Sequence, residues 1–139
     1  MTPRPGDELP VHTVSLVNAD HMKIVALLLR DSNPIHFDPD AVRRAGLGDR
    51  LVNQGGATMA YVMNLLIAWA GSRAAIRRIS CSFRGNVLAG DDVVVSGRVT
   101  EVEETPDGSL VTAEVWADVV GGRRAVLGEA TVLLAGNPA

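Results

Sequence analysis

The stretch "RDSNPIHFDPDA", residues 30–41, gathers Asp31, Asn33, His36, Asp38 and Asp40 around Pro34 and Pro39. Three carboxylates, an imidazole and an amide stand out in a chain that is 47% hydrophobic and 21% charged. A carboxylate and an imidazole five positions apart, across a proline-stiffened loop, can fold onto one water molecule. That is the equipment of general acid–base chemistry, and a free imidazole, with a pKa of about 6.5, titrates near neutral pH. The same residues also serve plain structure. Asp31 falls where a helix should end, and a loop histidine can be a mere strut. Asp38 before Pro39 has the pattern of a helix N-cap. His36-x-Asp38 offers two metal ligands, but no third lies nearby, so no metal site is expected.

The flanking segments must position this loop. "VHTVSLV" (11–17) alternates in part, is rich in β-branched residues and predicts a strand. Asn18 can cap a helix start, and "ADHMKIVALLL" (19–29) puts Met22, Val25, Leu28 and Leu29 on one side of that helix. Asn33 before Pro34 disfavours helix, so the quoted stretch is a tight, extended loop. A short helix "PDAVRRA" then stops at Gly46. "NQGGATMAYVMNLLIAWAG" (53–71) holds no charged residue and is apolar on nearly every face. It is somewhat short for a membrane span, and two glycines open it. It predicts a central helix that a sheet wraps around, with Gly71 ending it.

The remainder reads as strands over 74–87, 92–104, 110–120 and 124–134, separated by "GD" (90–91), "TPDGS" (105–109) and "GG" (121–122). Three or four consecutive strands joined by short turns predict an antiparallel meander. With the front strand and one central helix, the fold class is an α+β roll, a single domain over residues 1–139. Met1–Gly6 and Gly136–Ala139 look like frayed ends. The net charge of -3 and the scattered "RR" doublets argue against nucleic acid. Cys81 is the single cysteine, which excludes an internal disulfide and favours a reduced compartment. No basic stretch followed by an apolar run opens the chain, so cytoplasm is the default and no membrane partner is expected.

"DSNPIHFDPDA" resembles the D-x-N-P-x-H-x-D signature of MaoC-like dehydratases, the (R)-specific enoyl-CoA hydratase group. "NQGGATMA" lies where that family has a His-Gly-Met run opening its central helix, and "SFRGNVLAGDDVVVSGRVTEV" is similar to its later strands. The resemblance implies a hotdog fold, an antiparallel sheet wrapped around a central apolar helix. It implies reversible addition of water to a trans-2-enoyl thioester, giving a (3R)-3-hydroxyacyl thioester, in fatty-acid or steroid side-chain metabolism. It assigns the acid–base pair to Asp31 and His36 and the oxyanion donor to the amide of Gly55. The unpaired amides and dipole of a helix N-terminus favour such an anion.

Asn33 then orients the loop or its neighbouring carboxylate. Gln54 replaces the family's His and Gly56 its Met at the substrate entrance, which bears on substrate preference. No metal or redox cofactor is implied, because coenzyme A or an acyl carrier belongs to the substrate. Met59, Tyr61, Met63, Leu66 and Trp69 read as core or interface residues, some of which can also line an acyl tunnel. Arg78 and Arg84 can reach a carrier's phosphates, although exposed strand arginines are common. A lone hotdog leaves a sheet edge and half a helix uncovered, so a homodimer, or a heteromer with another hotdog chain, is expected. Two rival readings are a hotdog thioesterase and a non-catalytic or co-catalytic subunit of a heteromeric dehydratase.

Overall fold

The computed structural model describes residues 3–135. Among these residues the α-helices and strands run in the order β1 (His12–Val14), α1 (Ala19–Leu29), α2 (Pro39–Arg44), α3 (Gly55–Ala70), β2 (Ile76–Phe83), β3 (Val93–Thr105), β4 (Gly108–Val119) and β5 (Arg124–Ala135). The five strands form one antiparallel sheet in the order β1-β3-β4-β5-β2. The sheet wraps around α3 in the anticipated α+β hotdog arrangement.

The two turns of the β3–β4–β5 meander follow from their residues. Pro106 and Asp107 link β3 to β4, where Thr105 Oγ1 donates to the Gly108 carbonyl at 2.7 Å. Gly121, at φ +71°, supplies the left-handed backbone that turns β4 into β5. The concave face is mostly valine, which suits a pleated, buried surface. Val95, Val99, Val111, Val115, Val126 and Val132 meet Val62, Leu65 and Leu66 of α3 in one core cluster. Fully burying each such side chain contributes about 1.5–3 kcal/mol.

Three expectations are corrected. The meander takes in three strands rather than four, because β2 pairs with β5 at the sheet's far edge, with Ser80 opposite Glu129. The connecting segment is already partnered elsewhere. The Asn53 amide donates to the Val87 carbonyl at 2.8 Å, and the Ala89 amide donates to the Leu51 carbonyl at 2.9 Å. Gly90–Asp91 therefore cannot close a hairpin between β2 and β3. The strand foreseen over 11–17 is only three residues long. Leu16 takes φ +50°, and its amide turns to the Asp92 carboxylate at 2.8 Å. The helix α1 keeps its predicted bounds but not its predicted buried face. Met22 and Ala26 point inward, while Leu28 and Leu29 remain 76% and 60% exposed.

Among the described residues α3 is covered on one face, by way of Thr58, Val62, Leu65 and Leu66. Gly56, Asn64 and Ala68 lie exposed on the other. Of the ends expected to fray, residues 1–2 and 136–139 lie outside the described residues. The rest of the first stretch turns at Arg4–Asp7, and the Gly6 amide donates to the Val99 carbonyl at 2.8 Å. Among the described residues no helix is long and apolar enough to cross a membrane.

Candidate active site

Local capping builds the acid–base loop. Asn18 starts α1 by accepting from the Asp20 and His21 amides at 2.7 and 3.2 Å. Arg30, left-handed at φ 52°, ends the helix, and the Asp31 amide then donates to the Ala26 carbonyl at 2.8 Å. One oxygen of Asp31 accepts from the Asn33 amide at 3.0 Å. The side chain of Asn33 in turn accepts from the Ile35 amide at 3.3 Å and caps a single 3-10 turn over Pro34–His36. Pro34 suits the first position of that turn, where no backbone donor is needed. Asp38 accepts from the Asp40 amide at 2.9 Å and starts α2, the expected N-cap.

The loop has its long-range anchor at Val52. The Val52 amide donates to the Ile35 carbonyl at 3.0 Å, and His36 Nδ1 donates to the Val52 carbonyl at 2.6 Å. A carbonyl can only accept, so Nδ1 carries the hydrogen and Nε2 is the nitrogen free to exchange a proton. Nε2 lies 3.3 Å from Asp31 Oδ2. The histidine is 7% exposed and the Asp31 side chain 32%, so the pair reaches from the interior to a solvent opening. Asp31, Asn33 and His36 are thus brought together as expected. Asp38 and Asp40 are not, since they pair with Arg44 and Arg43.

Two cavities flank α1. One, of about 600 Å³, is lined by Ala26, Leu27, Asp31 and Phe37. The other, of about 480 Å³, is lined by Ile24, Val25, Leu29, Gly56, Ala60 and Tyr61. Both volumes are in the range of small-molecule sites. Gly55 begins α3 under the Phe83 ring, and a Cβ on it would stand 3.2 Å from that ring. A Cβ on Gly56 would meet nothing within 4 Å. Gln54, foreseen at the substrate entrance, is 3% exposed, and its Nε2 donates to the Met22 carbonyl at 2.9 Å. It is a strut between α1 and the start of α3. Among the described residues its Oε1 has no protein partner.

Sequence reading missed Asn53. Its amide donates to Thr58 Oγ1 at 3.0 Å and to Tyr61 Oη at 3.3 Å, and it reaches the second cavity. An amide side chain just ahead of an uncharged helix was the available signal. Burial pushes the Tyr61 phenol above its ordinary value, and the bond from Asn53 partly offsets this. Among the described residues no three His, Cys, Asp or Glu side chains are grouped as a metal site needs.

The family model described as "MaoC like domain" matches residues 3–120. The chain belongs to the MaoC-like family. A solved (R)-hydratase from A. caviae involved in PHA biosynthesis is 26% identical to this MaoC-like chain, with a TM-score of 0.82. The match covers 94% of this chain and 96% of that one. A mitochondrial 3-hydroxyacyl-[acyl-carrier-protein] dehydratase of Arabidopsis thaliana is 29% identical over 94 residues, covering 68% of this chain. The match spans 55% of that relative, so the MaoC-like chain covers about half its length. The ChsH1-ChsH2 complex from Mycobacterium tuberculosis shares the fold, with a TM-score of 0.80, 24% identity and coverage of 96% and 99%.

Proposed function

We propose that this MaoC-like chain interconverts trans-2-enoyl and (3R)-3-hydroxyacyl thioesters by adding or removing water. One observation carries the reading: Asp31, which lines the first cavity, holds its Oδ2 3.3 Å from His36 Nε2, with His36 Nδ1 committed to Val52. The pair holds a water molecule. As the water oxygen bonds to C3 of the enoyl group, its proton passes to the pair. The pair returns a proton to C2, so the dyad ends as it began. Negative charge that develops on the thioester oxygen is met by the Gly55 amide at the N-terminus of α3. The carrier arm, coenzyme A or acyl-carrier phosphopantetheine, enters as part of the substrate.

The test follows the enoyl-thioester absorbance with crotonyl-CoA and a longer enoyl-CoA while titrating free thiol. Loss of absorbance without free thiol is the expected result. Release of thiol would make the chain a thioesterase. A His36→Ala variant with wild-type turnover would overturn the reading.

The chain is further proposed to pair with a second hotdog chain, a copy or a distinct one. The exposed face of α3, the exposed Ile24 and Leu27–Leu29 of α1 and the edge strand β2 support this. Sedimentation of the protein alone as a monomer, with no turnover until a second hotdog chain is added, would favour the heteromer.

A further inference from the structure

A third cavity, of about 250 Å³, lies near the segment that anchors His36, two residues before Val52 in sequence. Arg50, Asn86, Asp91, Gly121, Gly122 and Arg123 contribute to its walls. The guanidinium of Arg50 is already fixed, donating to Asp91 Oδ1 at 2.8 Å and to the Ala89 carbonyl at 3.1 Å. Asp91 is held in turn, accepting from the Leu88 amide at 2.9 Å. Arg123 makes no ion pair among the described residues. It lies across Gly85, where any Cβ would collide with its Nε, so glycine keeps that path open. The Gly121–Gly122 turn adds a wall without side chains.

Two guanidiniums and one carboxylate thus line the cavity, with an amide side chain among them, and the carboxylate is already taken by Arg50. An excess guanidinium in a preformed polar pocket suits a phosphate oxygen. Position narrows the source. Arg50 and Gly55 are five residues apart, at most about 18 Å of extended backbone. An extended pantetheine arm reaches on that scale from thioester to phosphate.

We propose that the cavity formed by Arg50, Asn86 and Arg123 is a phosphate site for the carrier arm of the thioester. The proposal rests on the hydratase reading. The deciding experiment compares crotonyl-CoA with crotonyl-pantetheine, which has the same reacting end and no phosphate, on the full chain and on Arg123→Gln. The KM for crotonyl-CoA should rise about tenfold, the size of one hydrogen bond to a charged group. The pantetheine ester should show the same KM with both proteins. If crotonyl-carrier protein loses as much as the CoA ester, the phosphate next to pantetheine is the ligand. A loss confined to the CoA ester assigns the nucleotide phosphates.

An unchanged KM for crotonyl-CoA, or an equal rise for both small esters, overturns the site. Wild-type protein that turns over no thioester sinks the hydratase reading alone. Calorimetric titration with coenzyme A then decides. About tenfold weaker binding by Arg123→Gln supports the site. Unchanged affinity, or no binding by the wild type, overturns it.

Discussion

Asp31→Asn separates chemistry from architecture. The carboxylate makes two contacts, accepting from the Asn33 amide at 3.0 Å and facing His36 Nε2 at 3.3 Å. An asparagine of the same shape keeps an oxygen for the Asn33 amide. Its NH2 then points at Nε2, which offers a lone pair because the hydrogen sits on Nδ1. The local bonds therefore survive. With the side chain one-third exposed, the stability change should stay within about 1 kcal/mol, a few degrees in Tm at most. The chemistry does not survive. The carboxylate is gone, and the new N–H occupies the nitrogen that would accept the proton of water. General acid–base groups contribute about 100-fold to 10,000-fold, or roughly 2.7–5.5 kcal/mol of barrier. Initial rates of crotonyl-CoA hydration and a thermal melt on the same preparation measure both quantities. Activity within about threefold of wild type, far below that contribution, at an unchanged Tm would refute the assignment. So would a rate loss accompanied by collapse of the melting transition, since the residue would then be structural.

Gln54→Met tests the buried strut. One hydrogen bond of about 1 kcal/mol is lost, while removing a buried acceptor without a protein partner recovers about 1–3 kcal/mol. Urea unfolding should show equal or greater stability, and a clear loss would show that Oε1 is satisfied in solution. Tyr61 is the single tyrosine, so phenolate absorbance reads it alone. Its midpoint should lie above the ordinary value near 10, with burial the main cause. The sign comes from linkage: this contribution to stability is fully present below that ordinary value. It is lost as pH rises above it, because the unfolded chain ionises first. Asn53→Ala should move the midpoint further up, and a downward move would contradict the bond between the two side chains.

Much of the site was legible because it is local. Asn18, Asn33–Pro34 and Asp38–Pro39 each act on amides two or three residues away, so their spacing in sequence is nearly their geometry. The ends of α3 were readable for the same reason, with glycines at 55 and 71. What sequence hid is what depends on distant partners. Nothing in "IRRISCSF" tells that β2 pairs with β5 rather than β3, whose two edges are taken by β1 and β4 while residues 51–53 partner the connection. Leu28 and Leu29 have helical spacing with Met22, yet only Met22 is buried against the core. Gln54 could be read as a residue at the entrance, because its bond to Met22 spans 32 positions.

The anchoring of the Asp31–His36 loop has an evolutionary consequence. Between the end of α1 and the start of α2 the segment is nearly self-contained, fastened to the body through the Val52 peptide. Chemistry and scaffold are therefore separable by descent. Drift at Asp31 could silence a copy of this chain and leave its shape and its pairing surfaces intact. A duplicated lineage could in this way divide the labour between a working protomer and a retired one.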